Sequence, residues 1–74
     1  MNTLKILLVA RNCLMKASKE KNKKHRNSLM FQFCKQMQEF CNVMAKENPK
    51  QKEGFITMGK DFNNFSKIYK EISE

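Results

Sequence analysis

The sequence predicts an all-α protein, either a small three-helix bundle or a helical hairpin completed by oligomerisation. Three observations predict this class. Residues 28–47 contain no Gly or Pro and repeat apolar side chains at steps of three and four. Residues 55–72 repeat Phe, Met, Tyr and Ile in the same rhythm, and residues 3–16 place Leu and Met at helical spacing. We therefore expect one domain over residues 1–74, with helices at about 3–18, 28–47 and 50–73.

The first apolar segment is also compatible with a β-strand. The run at residues 4–10 is short and apolar, and periodicity alone does not separate a buried strand from a helix in such a run. A strand needs neighbours, and the other candidate is residues 55–58, which lie between two glycines. Two isolated strands form no stable sheet, so the pattern favours a helix here and leaves the strand as the alternative.

The central segment organises the chain because its apolar stripe is too wide for one partner to cover. We expect Asn27 or Ser28 to cap this helix, since both residue types accept hydrogen bonds from free backbone N–H groups. Asn48-Pro49 ends it, because proline disfavours helical geometry in the residue before it and suits the first turn of a new helix. The third helix then begins either at Pro49 or, after a turn, near Glu53. The outer two helices are then predicted to pack on the central stripe.

The size of the chain favours self-association. A domain of 74 residues buries only about 60% of its unfolded surface, so its margin of stability is small. A seam of Phe, Met and Tyr beside a wide central stripe exceeds what one short chain covers, which predicts a homodimer or higher oligomer. The candidate interface residues are Phe31, Phe55, Met58, Phe62, Phe65, Tyr69 and Ile72.

The positive charge is concentrated in one part of the chain. Residues 1–37 carry nine Lys or Arg against one acid, whereas residues 38–74 carry six against six, for a net charge of +8. The excess centres on residues 16–27, a polar segment expected to be a basic connector, either an extension of the first helix, a loop, or a helix that orders on binding. A local positive field predicts an anionic partner. The candidate contact residues are Lys16, Lys19, Lys21, Lys23, Lys24 and Arg26.

This charge predicts a non-enzymatic binding protein that contacts nucleic-acid phosphates with low sequence specificity. Lysine is a flexible point charge, and base reading requires rigidly held Arg, Asn or Gln, of which only Asn22, Arg26 and Asn27 are candidates. The alternative is a protein-interaction module, such as a small regulator or inhibitor, that uses an exposed Met/Phe helical surface and is steered to an acidic protein surface by the basic run. The same run could also be a solvated loop without a binding role. Peripheral membrane contact is a weaker alternative.

No catalytic residue, metal site or cofactor is expected. The single His25 has no nucleophile beside it in sequence, and Cys13, Cys34 and Cys41 lack zinc-finger spacing. Cys34 and Cys41 are predicted to be buried, reduced thiols. The apolar run near the start is too short for a signal peptide, and no stretch approaches a membrane span. These features predict a cytoplasmic protein.

Overall fold

Three α-helices account for nearly all of the chain in the computed structural model, which describes residues 3–73. Helix α1 covers Thr3–Lys19, α2 covers Lys23–Glu47 and α3 covers Lys52–Ser73, with a short 3-10 turn at Pro49–Gln51 between α2 and α3. Within the described residues there is no β-strand, and residues 4–10 lie inside α1. The predicted all-α class with three helices is confirmed, and the strand alternative is wrong.

The start of α2 differs from the prediction. Asn22 is the N-cap residue, and its side-chain oxygen accepts a hydrogen bond from the backbone N–H of His25 at 3.1 Å. The helix therefore begins at Lys23 instead of residue 28, and Asn27, which we expected to cap it, is buried within the helix. Residues 16–27 are thus no connector: only residues 20–22 lie outside the helices. The physical reason is that this segment contains no Gly or Pro, so its charge alone does not end a helix.

Asn48 closes α2 as predicted. Its backbone N–H and its side-chain Nδ2 both donate to the carbonyl oxygen of Met44, at 2.9 and 3.0 Å. Pro49 follows, and the chain makes the 3-10 turn before α3 begins at Lys52. The third helix therefore starts after a turn and close to Glu53, as in the second of the two predicted starts, about half a turn later than residue 50.

Helix α2 is the central element of an open arrangement. Both α1 and α3 pack against it, but among the described residues no Cα atom of α1 lies within 8 Å of a Cα atom of α3. The molecule measures 41 × 22 × 15 Å. Because each connector is short, α1 and α3 both run antiparallel to α2 and hence parallel to each other, with a groove between them.

Small side chains form the most buried contacts. Those buried on α1 and α2 are mainly Ala and Cys, and α3 contributes Gly59 and Ser66. Small residues let helix backbones approach closely, whereas large side chains are displaced to the flanks of each contact. The buried residues are Ile6, Ala10 and Ala17 on α1, Asn27, Cys34, Cys41 and Ala45 on α2, and Gly59 and Ser66 on α3.

The large apolar residues of the outer helices are consequently more exposed than their spacing suggested. The residues whose helical spacing predicted α1 are exposed to solvent. Leu7 and Leu14 are 37% and 42% exposed, whereas Ile6 is 5% exposed. The predicted α3 seam divides into two sets. Phe55, Phe62 and Tyr69 are half-buried, whereas Met58, Phe65 and Ile72 are exposed.

Candidate functional site

The six candidate cations lie around the junction between α1 and α2, at one end of the molecule. Two stand in the last turn of α1, one in the three-residue connector, and three at the start of α2. All six side chains are exposed. We call this set the basic end: Lys16, Lys19, Lys21, Lys23, Lys24 and Arg26.

Helix dipoles distinguish two groups within the basic end. The C-terminus of a helix carries partial negative charge, so Lys16 and Lys19 stabilise the end of α1. The N-terminus carries partial positive charge, so Lys23 and Lys24 are placed unfavourably, and the first turn of α2 contains no acidic residue to compensate. Lys23 and Lys24 therefore do not stabilise the N-terminus of α2.

The single acidic residue of this region has a structural role. A side-chain oxygen of Glu20 accepts a hydrogen bond from the backbone N–H of Asn22 at 3.0 Å, and the side chain is half-buried. Glu20 and the Asn22 cap together fix the three-residue turn. The lysines on either side of this turn are thus presented from an ordered backbone.

The last turns of α3 also reach this end, which the sequence reasoning missed. Tyr69 lines a cleft of about 370 Å³ together with residues of both other helices, including Leu14, Arg26 and Met30. Lys67 and Lys70 are exposed and lie within two residues of Tyr69, with Glu71 beside them. Short connectors indicate antiparallel neighbouring helices, and this order could have placed the end of α3 beside the basic end.

The predicted interface residues occupy two different settings. Phe31 is half-buried, and the ammonium nitrogen of Lys35 lies 5.9 Å from the centroid of its ring. Phe62 contacts Phe33 of α2 edge to face, with ring centroids 6.2 Å apart at 85°. Phe31 therefore lies on α2 beside Lys35, whereas Phe62 lies in the contact between α2 and α3.

Apolar side chains of α1 and α3 flank the groove above α2. Leu14 of α1 and Tyr69 of α3 both line the cleft. Leu7 precedes Leu14 by two helical turns and therefore lies on the same side of α1, and Phe65 and Ile72 lie within about one turn of Tyr69 on α3. We call this set the groove face: Leu7, Leu14, Met58, Phe65 and Ile72. The α1 half of this face was not among the residues predicted from sequence.

The thiols have the environment expected of core cysteines. Cys34 and Cys41 are 3% and 0% exposed, which confirms their predicted burial, and all three cysteines are free. Burial raises the pKa of the Cys34 and Cys41 thiols, because the thiolate loses its hydration. Across residues 3–73 no group of three or more His, Cys, Asp or Glu side chains is placed to hold a metal ion.

In the described part of the chain, no helix has the length and hydropathy to cross a lipid bilayer. No family model, curated protein or solved structure matches this sequence.

Proposed function

We propose that this protein is a non-enzymatic binding protein whose basic end contacts the phosphates of nucleic acid with little base specificity. The observation that carries the proposal is the placement of six exposed cations around one helix junction, where Glu20 is the one acid within residues 16–26. Several cations on one surface meet several phosphates at once, and the release of condensed counterions then drives binding.

The positions of Lys23 and Lys24 support an anionic partner. Both stand where the dipole of α2 already disfavours positive charge. A phosphate bound beside them interacts favourably with the two ammonium groups and with the helix N-terminus. The local cost in the free protein is thereby offset in the complex.

The settings of the three residues that could read bases support low base specificity. The side chain of Asn22 is engaged in capping α2, and Asn27 is buried. Arg26 is exposed and is not the cap of a helix, and one arginine reads at most one base pair. The remaining cations are lysines, which bind phosphate as point charges.

The proposal is tested by titrating labelled DNA and RNA at two salt concentrations. We expect the logarithm of the binding constant to fall steeply and linearly with the logarithm of salt concentration. In a Lys21→Ala/Lys23→Ala/Lys24→Ala variant the slope should decrease by roughly one unit for each phosphate that the variant no longer neutralises.

A matched control lies at the opposite end of the molecule. Lys46, Lys50 and Lys52 are also exposed and lie within a similarly short stretch, so replacing all three with Ala removes the same charge. We expect this variant to keep the wild-type slope. An equal decrease of the slope in both variants would show that binding depends on net charge and not on the basic end. No binding below about 100 μM at low salt would exclude the proposal.

A second candidate function is a protein-interaction module, such as a small regulator or inhibitor. The exposure of Met58 and Phe65, at 44% and 53%, favours it. The basic end would then steer the module to an acidic protein surface. In a pull-down, substitutions at Met58 and Phe65 should abolish capture of such a partner, whereas substitutions of the lysines should only slow it.

A further inference from the structure

We infer that the groove face is the interface for a second copy of this chain. The inference does not depend on nucleic-acid binding by the basic end. It starts from the number of large apolar side chains that the open arrangement leaves in solvent. On α1 and α3 these include Leu4, Leu8, Met15 and Ile68 in addition to the groove face.

The exposed apolar surface is one-sided. Leu14 of α1 and Tyr69 of α3 line the cleft, and helical spacing puts Leu7 on the side of Leu14 and puts Phe65 and Ile72 on the side of Tyr69. These residues therefore gather exposed apolar surface on one side of the molecule. By contrast, Val9 lies about 140° from Leu14 around α1, and Ile56 lies about 180° from Phe65 around α3. Isolated residues such as these are ordinary, whereas a contiguous strip marks an interaction surface.

The surface area of the chain has the excess that a dimer needs. Its accessible surface is 5533 Å², against about 4,800 Å² for a compact monomer of 8.8 kDa, an excess of roughly 700 Å². A standard interface buries about 800 Å² on each partner. The radius of gyration agrees, at 12.9 Å against about 11.3 Å for a compact domain of this length.

Charged residues within the face favour a second copy over an anionic membrane. Arg11 lies between Leu7 and Leu14 in the helical pattern of α1, and Asp61 lies between Met58 and Phe65 in that of α3. Both side chains are exposed. A symmetric interface presents each patch to the other subunit, so a face that carries both signs can complement itself. An anionic lipid surface would repel Asp61.

Sedimentation equilibrium over a range of protein concentrations tests the inference. At about 0.3 M salt, where repulsion between the basic ends is screened, we expect the wild type to reach twice its mass of 8.8 kDa. Leu7→Asp and Phe65→Asp should each weaken the dimer at least about tenfold, because each places an unpaired charge in an apolar interface.

Two controls match these variants in chemistry and exposure. Val9→Asp and Ile56→Asp introduce the same charge at apolar residues that are 40% and 38% exposed on the other side of the helices. They should leave the dimer affinity within about twofold of the wild type. Far-UV circular dichroism on all four variants establishes that the helices are retained.

Three outcomes overturn the inference. One is a wild type that stays at 8.8 kDa across the concentration range with full helicity. Another is a dimer that the two controls weaken as much as the groove-face variants do. The third is a monomer that binds vesicles of mixed zwitterionic and anionic phospholipid through Leu7 and Phe65, which would assign the same face to a membrane.

Discussion

Gly59 of α3 lies against Cys41 of α2, and a Cβ atom added at Gly59 would stand 3.4 Å from the Cβ of Cys41. Both residues are buried, and Cys41 is completely inaccessible to solvent. The two helices therefore approach closely at a point where neither carries a large side chain. Ala10 and Ala17 have the equivalent position on α1. These small residues explain why the larger Leu, Met and Phe side chains are left beside the groove.

Enlarging Gly59 should separate α2 from α3. We expect Gly59→Leu to lower the free energy of unfolding by about 1–3 kcal/mol, because the added atoms have no space beside Cys41. Gly59→Ala should be tolerated, since its methyl group would make an ordinary contact and alanine favours helix by up to about 1 kcal/mol. Urea unfolding measures both.

Gly54 provides the control for these substitutions. Among the described residues, and apart from its chain neighbours and the backbone of its own helix, nothing lies within 4 Å of a Cβ atom added there, so Gly54→Leu should not destabilise the protein. If Gly59→Leu proves as stable as Gly54→Leu, the close approach of α2 and α3 is refuted.

The Asn22 cap should be worth about 1 kcal/mol. Asn22→Ala removes the acceptor for the His25 N–H and leaves that donor without its capping partner. Asn22→Ser keeps a side-chain oxygen that can accept the same hydrogen bond, so it should be destabilised much less. Thermal unfolding followed by circular dichroism compares the two. Equal destabilisation by Ala and Ser would contradict the capping role.

The buried thiols should make the protein less stable in alkali. Burial raises the pKa of Cys34 and Cys41 in the folded protein, whereas in the unfolded chain these thiols ionise near pH 9.0. Above pH 9.0 the unfolded state therefore releases protons that the folded state still holds, and the free energy of unfolding falls as pH rises. Well below pH 9.0 both states keep these protons and the effect disappears.

A cysteine-replacement series isolates that contribution. In a Cys34→Ala/Cys41→Ala variant we expect the free energy of unfolding to decline less steeply between about pH 9 and 10.5 than in the wild type. Cys13→Ala, which removes a half-buried thiol, is the control. An unchanged slope in the double variant would show that the buried thiols do not cause the decline.

Charge reversal at the two helix ends should separate stability from binding. Lys23→Glu places a negative charge at the N-terminus of α2, and we expect it to raise the free energy of unfolding by about 0.3–1 kcal/mol. Lys19→Glu places the same charge at the C-terminus of α1 and should lower it by a similar amount. Both should weaken binding to DNA. Stability changes of the same sign in the two variants would contradict the dipole argument.

The helices were predictable because their apolar residues repeat at helical spacing and because Asn48-Pro49 is an unambiguous boundary. The side on which each outer helix packs was not predictable from the sequence. The apolar pattern points to the large Leu, Met and Phe side chains, whereas the close helix contacts are made by Ala, Cys and Gly. The start of α2 was missed because Asn22 and Asn27 are equally good caps in isolation, and only the course of the chain selects Asn22.

The candidate site was only partly predictable for a similar reason. The six cations are adjacent in sequence, so their proximity needed no tertiary information. Lys67 and Lys70 come to the same end through the antiparallel packing of α3, and Leu7 and Leu14 belong to the groove face because α1 turns Ile6 and Ala10 toward α2. Both facts depend on how the helices pack.

The central claim, that the basic end contacts nucleic-acid phosphates, is tested most directly by following backbone amide signals in NMR spectra during titration with a short DNA duplex. We predict that the largest shifts fall on residues 16–26, with smaller shifts at Lys67 and Lys70, and that added salt reverses all of them. Shifts concentrated on the groove face, or shifts spread evenly over all three helices, would contradict it.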